Sequence, residues 1–397
     1  MDDQAAGRND ATVDYIARAR ALVPLLQAEA PRIDAGHELT RGVLDAMQAA
    51  GLFRLLVPRS CGGAELDPAT YVQCVEAIAM GDGSAAWCMN QGSGSSMASA
   101  YLGLAPAQEI FGGARDVLAW GYGPNGRAVR TAGGWRVTGT WAFASGSRHA
   151  TWLGAHCLCV EADGSPIPGP DGAKTWERTG LFRREKAEIK DTWQVLGLRG
   201  TGSDTYSIHD LFIDDAHMIT RDYAGERREQ GPLYRFAMMQ LYASGFACVG
   251  LGLARQMLDD FVIMARGKTP ALSQTLLRDS HTVQGIIGHS DARLKAARNW
   301  LIQLLAETYA AVAVSGALTL DQRMAIRQAS TYAIHEARDV ATAVFHEAGS
   351  TAIFDNQPFE RRLRDINSVS QQLQGRRAHF ETIGQHLLGM EAGLRWV

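Results

Sequence analysis

The chain has 397 residues, 46% of them hydrophobic and 20% charged, which suits a globular protein of about two to three domains or one large multilayer unit. Its 39 basic and 42 acidic residues leave a net charge of −3, which excludes nucleic-acid binding driven by a basic field. Its 42 glycines follow no Gly-X-Y period, so a collagen-like chain is excluded and a glycine excess remains to be explained.

The N-terminal stretch Met1–Asp10 is acidic and polar and reads as no signal peptide. No apolar run reaches the roughly 18–20 residues of a membrane span. The expectation is a cytoplasmic protein without a membrane or nucleic-acid partner. Residues 12 to 118 read as a helical domain. Tyr15–Gln27 is rich in Ala, Leu and Arg, and Leu39–Ala50 has apolar residues at i, i+3, i+4 and i+7 spacing. Gly51 and Pro58 punctuate this zone before a third helical run, Pro68–Met80.

Residues 119 to 228 change character. Trp120, Trp135, Trp141, Trp152, Trp176 and Trp193 cluster here. Trp135–Ala142 and Thr151–Val160 read as strands, with turns at Gly133-Gly134 and Ser145-Gly146-Ser147. The near-twofold period predicts a central antiparallel β domain. Residues 229 to 397 return to helical periodicity in four runs, Leu233–Arg266, Asp279–Ser315, Asp321–Ala348 and Phe359–Gly389, which predict a four-helix bundle. The fold class is therefore α+β multidomain, divided at 1–118, 119–228 and 229–397.

The six cysteines, Cys61, Cys74, Cys88, Cys157, Cys159 and Cys248, lie in apolar surroundings and read as buried thiols. Neither Cys157-Leu-Cys159 nor the scattered His149, His281, His346 and His386 has metal-ligand spacing.

Three segments have the makings of a site. In Thr140-Trp-Ala-Phe-Ala-Ser-Gly146, Trp141 and Phe143 are spaced to share one strand face, and Ala144-Ser145-Gly146 ends the strand. Such a face can stack a planar ring and offer backbone N–H groups and a hydroxyl to its polar edge; it can equally be an aromatic strand packed in a core. Gly197-Leu-Arg-Gly-Thr-Gly-Ser-Asp204 lets backbone approach a phosphate or ring, or is a glycine-rich hairpin. It is neither a Walker loop nor a dinucleotide fingerprint. Arg361–Gln372 places Arg364 and Asp365 at the start of a helix expected to run past Gln372, or is simply a solvated helix start.

Together these segments resemble the acyl-CoA dehydrogenase fold, and within it the flavin-dependent monooxygenases of two-component hydroxylases. The resemblance rests on Leu56-Val-Pro-Arg-Ser-Cys-Gly-Gly63, Met80-Gly-Asp-Gly-Ser-Ala-Ala-Trp87, Pro124-Asn-Gly-Arg-Ala128, Gly139–Gly146, Asp191–Ser203 followed by a strand and Asp214-Asp215, and Arg361–Asp365 after Gly349. It implies an N-terminal helical domain, a β-barrel-like domain and a four-helix bundle, assembled as a homotetramer in which a neighbouring bundle completes each flavin site. It also implies that Trp141, Phe143 and Ala144 lie along the isoalloxazine, and that Ser145 hydrogen-bonds near its N5/O4 edge. Arg199, Thr201 and Ser203 would border the flavin, Arg266 would reach a neighbour's flavin phosphate, and Gly349 would sit in the C-terminal flavin loop.

A dehydrogenase of this fold needs a carboxylate base beside the thioester α-carbon. The segment Ser350–Glu360 carries no Tyr-Glu-Gly-Thr-like motif, and Leu233–Leu258 contains no Asp or Glu; Asp355 or Glu360 is left as a displaced candidate. The oxygenase instead needs reduced flavin (FADH2 or FMNH2), O₂, a separate flavin reductase and an electron-rich aromatic or amine substrate, and works through a flavin C4a-hydroperoxide. Many hydroxylases of this branch carry a histidine eight residues after the Arg of Arg-Asp. Gln372 stands there in this chain and can donate and accept hydrogen bonds but not shuttle a proton near neutral pH. Ser145 and Gln372 are thus the expected catalytic residues. The alternatives are an acyl-CoA dehydrogenase or acyl-thioester oxidase, and a non-catalytic flavin-binding scaffold.

Overall fold

The computed structural model describes residues 13–394 and 397; the Met1–Asp10 stretch read above lies outside the described residues. Six helices come first: α1 (Tyr15–Ala21), α2 (Val23–Gly36), α3 (Arg41–Ala49), α4 (Pro68–Gly81), α5 (Gly83–Ser96) and α6 (Leu104–Phe111). Their starts follow local chemistry. The Asp67 carboxylate accepts the Thr70 N–H at 2.9 Å ahead of Pro68 at the first turn of α4, and Asp82 accepts the Ala85 N–H at 2.8 Å to begin α5.

Eight strands follow: β1 (Leu118–Trp120), β2 (Gly126–Thr131), β3 (Gly134–Ala144), β4 (Trp152–Val160), β5 (Glu177–Arg183), β6 (Glu188–Lys190), β7 (Asp204–Asp214) and β8 (Met218–Ile219). They form one sheet in the order β6-β7-β3-β2-β4-β5-β8, with β1 pairing β4. The sheet is mixed, not antiparallel throughout. β2 and β3 form a hairpin, and β4 then returns on the far side of β2, so that β4 runs parallel to both β2 and β1. Its inner face holds Trp135, Val137, Trp141, Cys157, Cys159 and Tyr206 in a core of their own.

Five helices complete the chain: α7 (Met238–Gly267), α8 (His281–Ser315), α9 (Leu320–Ala348), α10 (Glu360–Gln371) and α11 (Ala378–Leu387). The run expected as a single fourth helix, Phe359–Gly389, is broken in two. Gln372 leaves helical geometry at ψ 170°, and a short 3₁₀ turn spans Leu373–Gly375. A side chain at Gly375 would meet the Ser370 carbonyl at 2.6 Å, so the tight turn depends on glycine there.

α7 is the central helix and packs on α4, α5, α8, α9 and α10. Its glycines allow this. A Cβ on Gly245 would lie 1.8 Å from Asn90 Oδ1 of α5, and one on Gly252 would lie 2.4 Å from the Glu76 carbonyl of α4. These positions serve close helix packing. Part of the glycine excess is therefore spent on bringing helices together.

Candidate active site

The end of β3 is where strand geometry changes. Trp141 pairs with Tyr206 and Ala144 with Asp204, so β3 spends three steps where β7 spends two. The extra residue makes a β-bulge, with Phe143 in the left-handed region at φ 61°. Spacing alone put Trp141 and Phe143 on one face; the bulge puts them on opposite sides. Trp141 is fully buried, stacked on Tyr206 at 5.4 Å, and donates its indole N–H to the His156 carbonyl at 3.0 Å. It therefore presents no free ring to a cofactor. Phe143 is 61% exposed and meets Trp193 edge-on at 5.9 Å. Ala144, next to it, is buried.

Beyond the bulge, Ser145 enters a chain of hydroxyls. The Trp87 indole N–H of α5 donates to Ser145 Oγ at 2.9 Å. Ser145 Oγ lies 2.7 Å from Ser203 Oγ, which lies 2.6 Å from Thr201 Oγ1. Thr201 donates its proton to the Leu198 carbonyl at 2.8 Å. Each hydroxyl has one proton, so that last bond fixes the direction of the rest. Ser203 donates to Thr201, and Ser145 donates to Ser203. Ser145 Oγ then accepts from Trp87 and keeps one lone pair free. All three hydroxyl residues are buried.

The glycine-rich loop that carries Thr201 and Ser203 is held from behind. Gly202 takes φ 48° and has no room for a side chain against Arg148 and the His37 carbonyl. The Leu198 N–H donates to Asp365 Oδ1 of α10 at 2.6 Å, and a Cβ on Gly197 would sit 2.3 Å from the Arg364 carbonyl. Arg364 donates to the Leu196 carbonyl and pairs with both Asp34 and Glu360. Arg364-Asp365 is thus a clamp on this loop. Burial beside Asp82 pushes the Asp365 carboxyl up to about 7. Arg199 turns away to α2, donating to His37 Nε2 at 2.7 Å with Asp34 nearby, and supports the loop from its rear.

Gln372 is the last expected catalytic residue. It caps α10 instead of lying within the helix: its side-chain oxygen accepts the Gln374 N–H at 2.7 Å, and its Nε2 is buried with no hydrogen-bond partner. Gln374 in turn lies 4.0 Å from the Met239 sulfur in the first turn of α7. Two histidines brace the same turn, His335 on the Gly375 carbonyl at 2.9 Å and His379 on the Leu373 carbonyl at 2.8 Å. Burial lowers the pKa of both.

Arg266 and Gly349 form a separate group at the other end of α7. Arg266 is exposed. Gly349 takes φ 64°, and Lys268 fastens this corner by donating to the Ala348 carbonyl and to Thr351 Oγ1 at 2.7 Å. Among the described residues no hydrogen bond or ring contact joins this group to Ser145. Trp87, His37 and the two histidines at the Gln372 turn were missed by sequence reasoning. Only Trp87 lay in a quoted motif, and its bond to Ser145 spans 58 residues of chain.

The N-terminal domain model of the acyl-CoA dehydrogenases matches residues 18–105, and the C-terminal domain model matches residues 244–374. The chain is 29% identical over 349 residues to an indole-3-acetate monooxygenase of Pseudomonas putida, covering 87% of this chain and 86% of that protein. It is 24% identical over 397 residues to the oxygenase component of an FADH(2)-dependent resorcinol hydroxylase of Rhizobium sp., covering 96% of this chain and 95% of that protein. Its fold superimposes with a TM-score of 0.87 on a 3-HSA hydroxylase from Rhodococcus sp. RHA1, 24% identical, covering 97% and 100% of the two chains.

Proposed function

Because the chain belongs to the acyl-CoA dehydrogenase family, in its flavin-dependent monooxygenase branch, we propose that it is the oxygenase component of a two-component system. It takes reduced flavin from a separate reductase and hydroxylates an electron-rich aromatic small molecule. The observation that carries this reading is the direction of the hydroxyl chain ending at Ser145. Its proton is committed to Ser203, so the capacity Ser145 has left is that of an acceptor. A reduced flavin carries an N–H at N5 and an oxidised flavin does not, so an acceptor suits the reduced form.

The residues present fit such a cofactor. Phe143 offers an exposed ring beside Ser145, and the Gln372 amide N–H group lies buried without a partner. Phe143, Ala144, Ser145, Thr201 and Ser203 would hold the ring system, with Trp141 and Arg199 supporting from behind. Bound reduced flavin supplies the activation of O₂: one oxygen atom enters the substrate as hydroxyl and the other leaves as water, while the flavin is oxidised. The protein's own work is to accept at N5 through Ser145, to donate through Gln372 and to exclude water with its aromatic walls.

An acyl-CoA dehydrogenase would need a carboxylate base. Glu360 is paired with Arg364, Asp355 is exposed, and the α7 acids begin only at Asp259, so none of these takes that part. The relatives' names support an aromatic substrate: one acts on indole-3-acetate and another on resorcinol. No described helix is long and apolar enough to cross a membrane, in keeping with a cytoplasmic enzyme. We read the chain as three domains, at 1–118, 119–228 and 229–397, assembled as a homotetramer. The test supplies chemically reduced FAD or FMN, ¹⁸O₂ and a panel of phenols and indoles. One ¹⁸O atom should enter a product. Ser145→Ala should raise the share of reduced flavin lost as hydrogen peroxide severalfold. Stoichiometric peroxide with no labelled product from any compound would refute the reading.

A further inference from the structure

Arg221 follows β8 and Thr220 on the segment leading into α7. Its guanidinium lies over the Trp120 ring of β1, 5.8 Å from the centroid. Tyr242 of α7 stacks on Phe246 at 6.0 Å with 12° between planes. Phe246 packs on Trp87 of α5 at 3.9 Å, and Trp87 donates to Ser145. Trp120, Tyr242 and Phe246 are buried. Tyr242 also meets the Trp120 side chain, so four aromatic side chains run from the Ser145 hydroxyl to one arginine.

That arginine has no direct ion pair among the described residues. Among the described residues it forms no hydrogen bond and no ion pair within 4.0 Å; the ring of Trp120 is its one close contact of that kind. The nearby acids are Asp222 and Glu177. Asp222 is engaged elsewhere: its Oδ1 accepts the Met238 N–H at 3.0 Å, and its carboxyl also meets the Tyr101 hydroxyl. Arg221 is half-buried. Burial holds its pKa below the ordinary arginine value. An arginine in such surroundings is costly unless an anion meets it.

We propose that Arg221 is a specificity-determining residue and that the substrate is an aromatic carboxylate, its acid group on Arg221 and its ring among Trp120, Tyr242, Phe246 and Trp87. Arginine suits this part because its planar fork matches a carboxylate with two parallel hydrogen bonds. The aromatic walls would hold the electron-rich ring toward Ser145. This orientation rests on the monooxygenase reading above, whereas the acid preference does not.

The test is calorimetric titration of the full chain with benzoate, phenylacetate and indole-3-acetate, each against its neutral primary amide. At least one acid should bind about tenfold or more tightly than its amide. Arg221→Gln should abolish that preference and leave the amide's affinity unchanged, and Arg221→Lys should restore part of it. If no acid outranks its amide in the parent protein, or if Arg221→Gln weakens both members of a pair alike, the proposal is overturned. The parent comparison needs no variant and stands even if Arg221→Gln fails to fold. Retention of reduced flavin in anaerobic dialysis is read separately. Loss of flavin binding with the acid preference intact counts against the monooxygenase reading and leaves the anion site standing.

Discussion

Asp365 shows how a residue read as a helix start becomes part of a site's frame. Its carboxylate holds the Leu198 N–H, yet it is buried beside Asp82, and its pKa is pushed up to about 7. A carboxyl whose folded pKa exceeds its unfolded value binds its proton more tightly in the native state. Its contribution therefore favours folding at low pH and is lost as pH rises from about 4 toward 7. Asp365→Asn keeps an oxygen to accept from Leu198 but has no charge to bury. Its melting temperature should rise relative to the parent between pH 5 and pH 8; a constant difference across that window would contradict the shift. Sequence made Ser145, Thr201 and Ser203 visible as polar groups near glycines. It did not show their direction, because the bond that sets it ends on a backbone carbonyl. Phe143 and Trp141 were separated by a bulge, which alternation alone does not reveal.

At the scale of elements, α3, α4 and the first three bundle helices were legible from apolar spacing, whereas the run read at Tyr15–Gln27 crosses the break between α1 and α2, and α6 was not read. The parallel pairing of β4 was not, since which side of a hairpin the next strand joins is set by tertiary packing. Nor was the break at Gln372, where helix-compatible residues bend so that two buried histidines and Thr331 can hold the turn's carbonyls. The α4–α7 contact gives a direct test. In an exposed helix Gly→Ala is favourable by about 1 kcal/mol. At Gly252 the added methyl meets the Glu76 carbonyl, a backbone atom, at 2.4 Å. Overpacking of this kind costs about 1–3 kcal/mol, so Gly252→Ala should lower stability in chemical denaturation.

For the whole molecule, the order helices, strands, helices was readable from composition. How the parts meet was not: Ser145 is built from α5, the β3–β4 loop and the loop before β7, and the latter is clamped by α10. Arg266 and Gly349 lie at the remote end of α7, which fits the proposed tetramer, where they would serve a neighbour's flavin. Sedimentation should then give four copies, and Arg266→Ala should weaken reduced-flavin binding several-fold without changing that number. A monomer with full flavin affinity would exclude shared sites.

The double hold on Leu198 has a consequence for anyone recombining such proteins. Its N–H is taken by Asp365 and its carbonyl by Thr201, so one residue transmits the position of α10 to the orientation of Ser145. A chimera that grafted the sheet of one relative onto the helices of another would keep every hydroxyl and still lose their common polarity. The smallest transplantable active site is therefore the sheet together with α5 and α10.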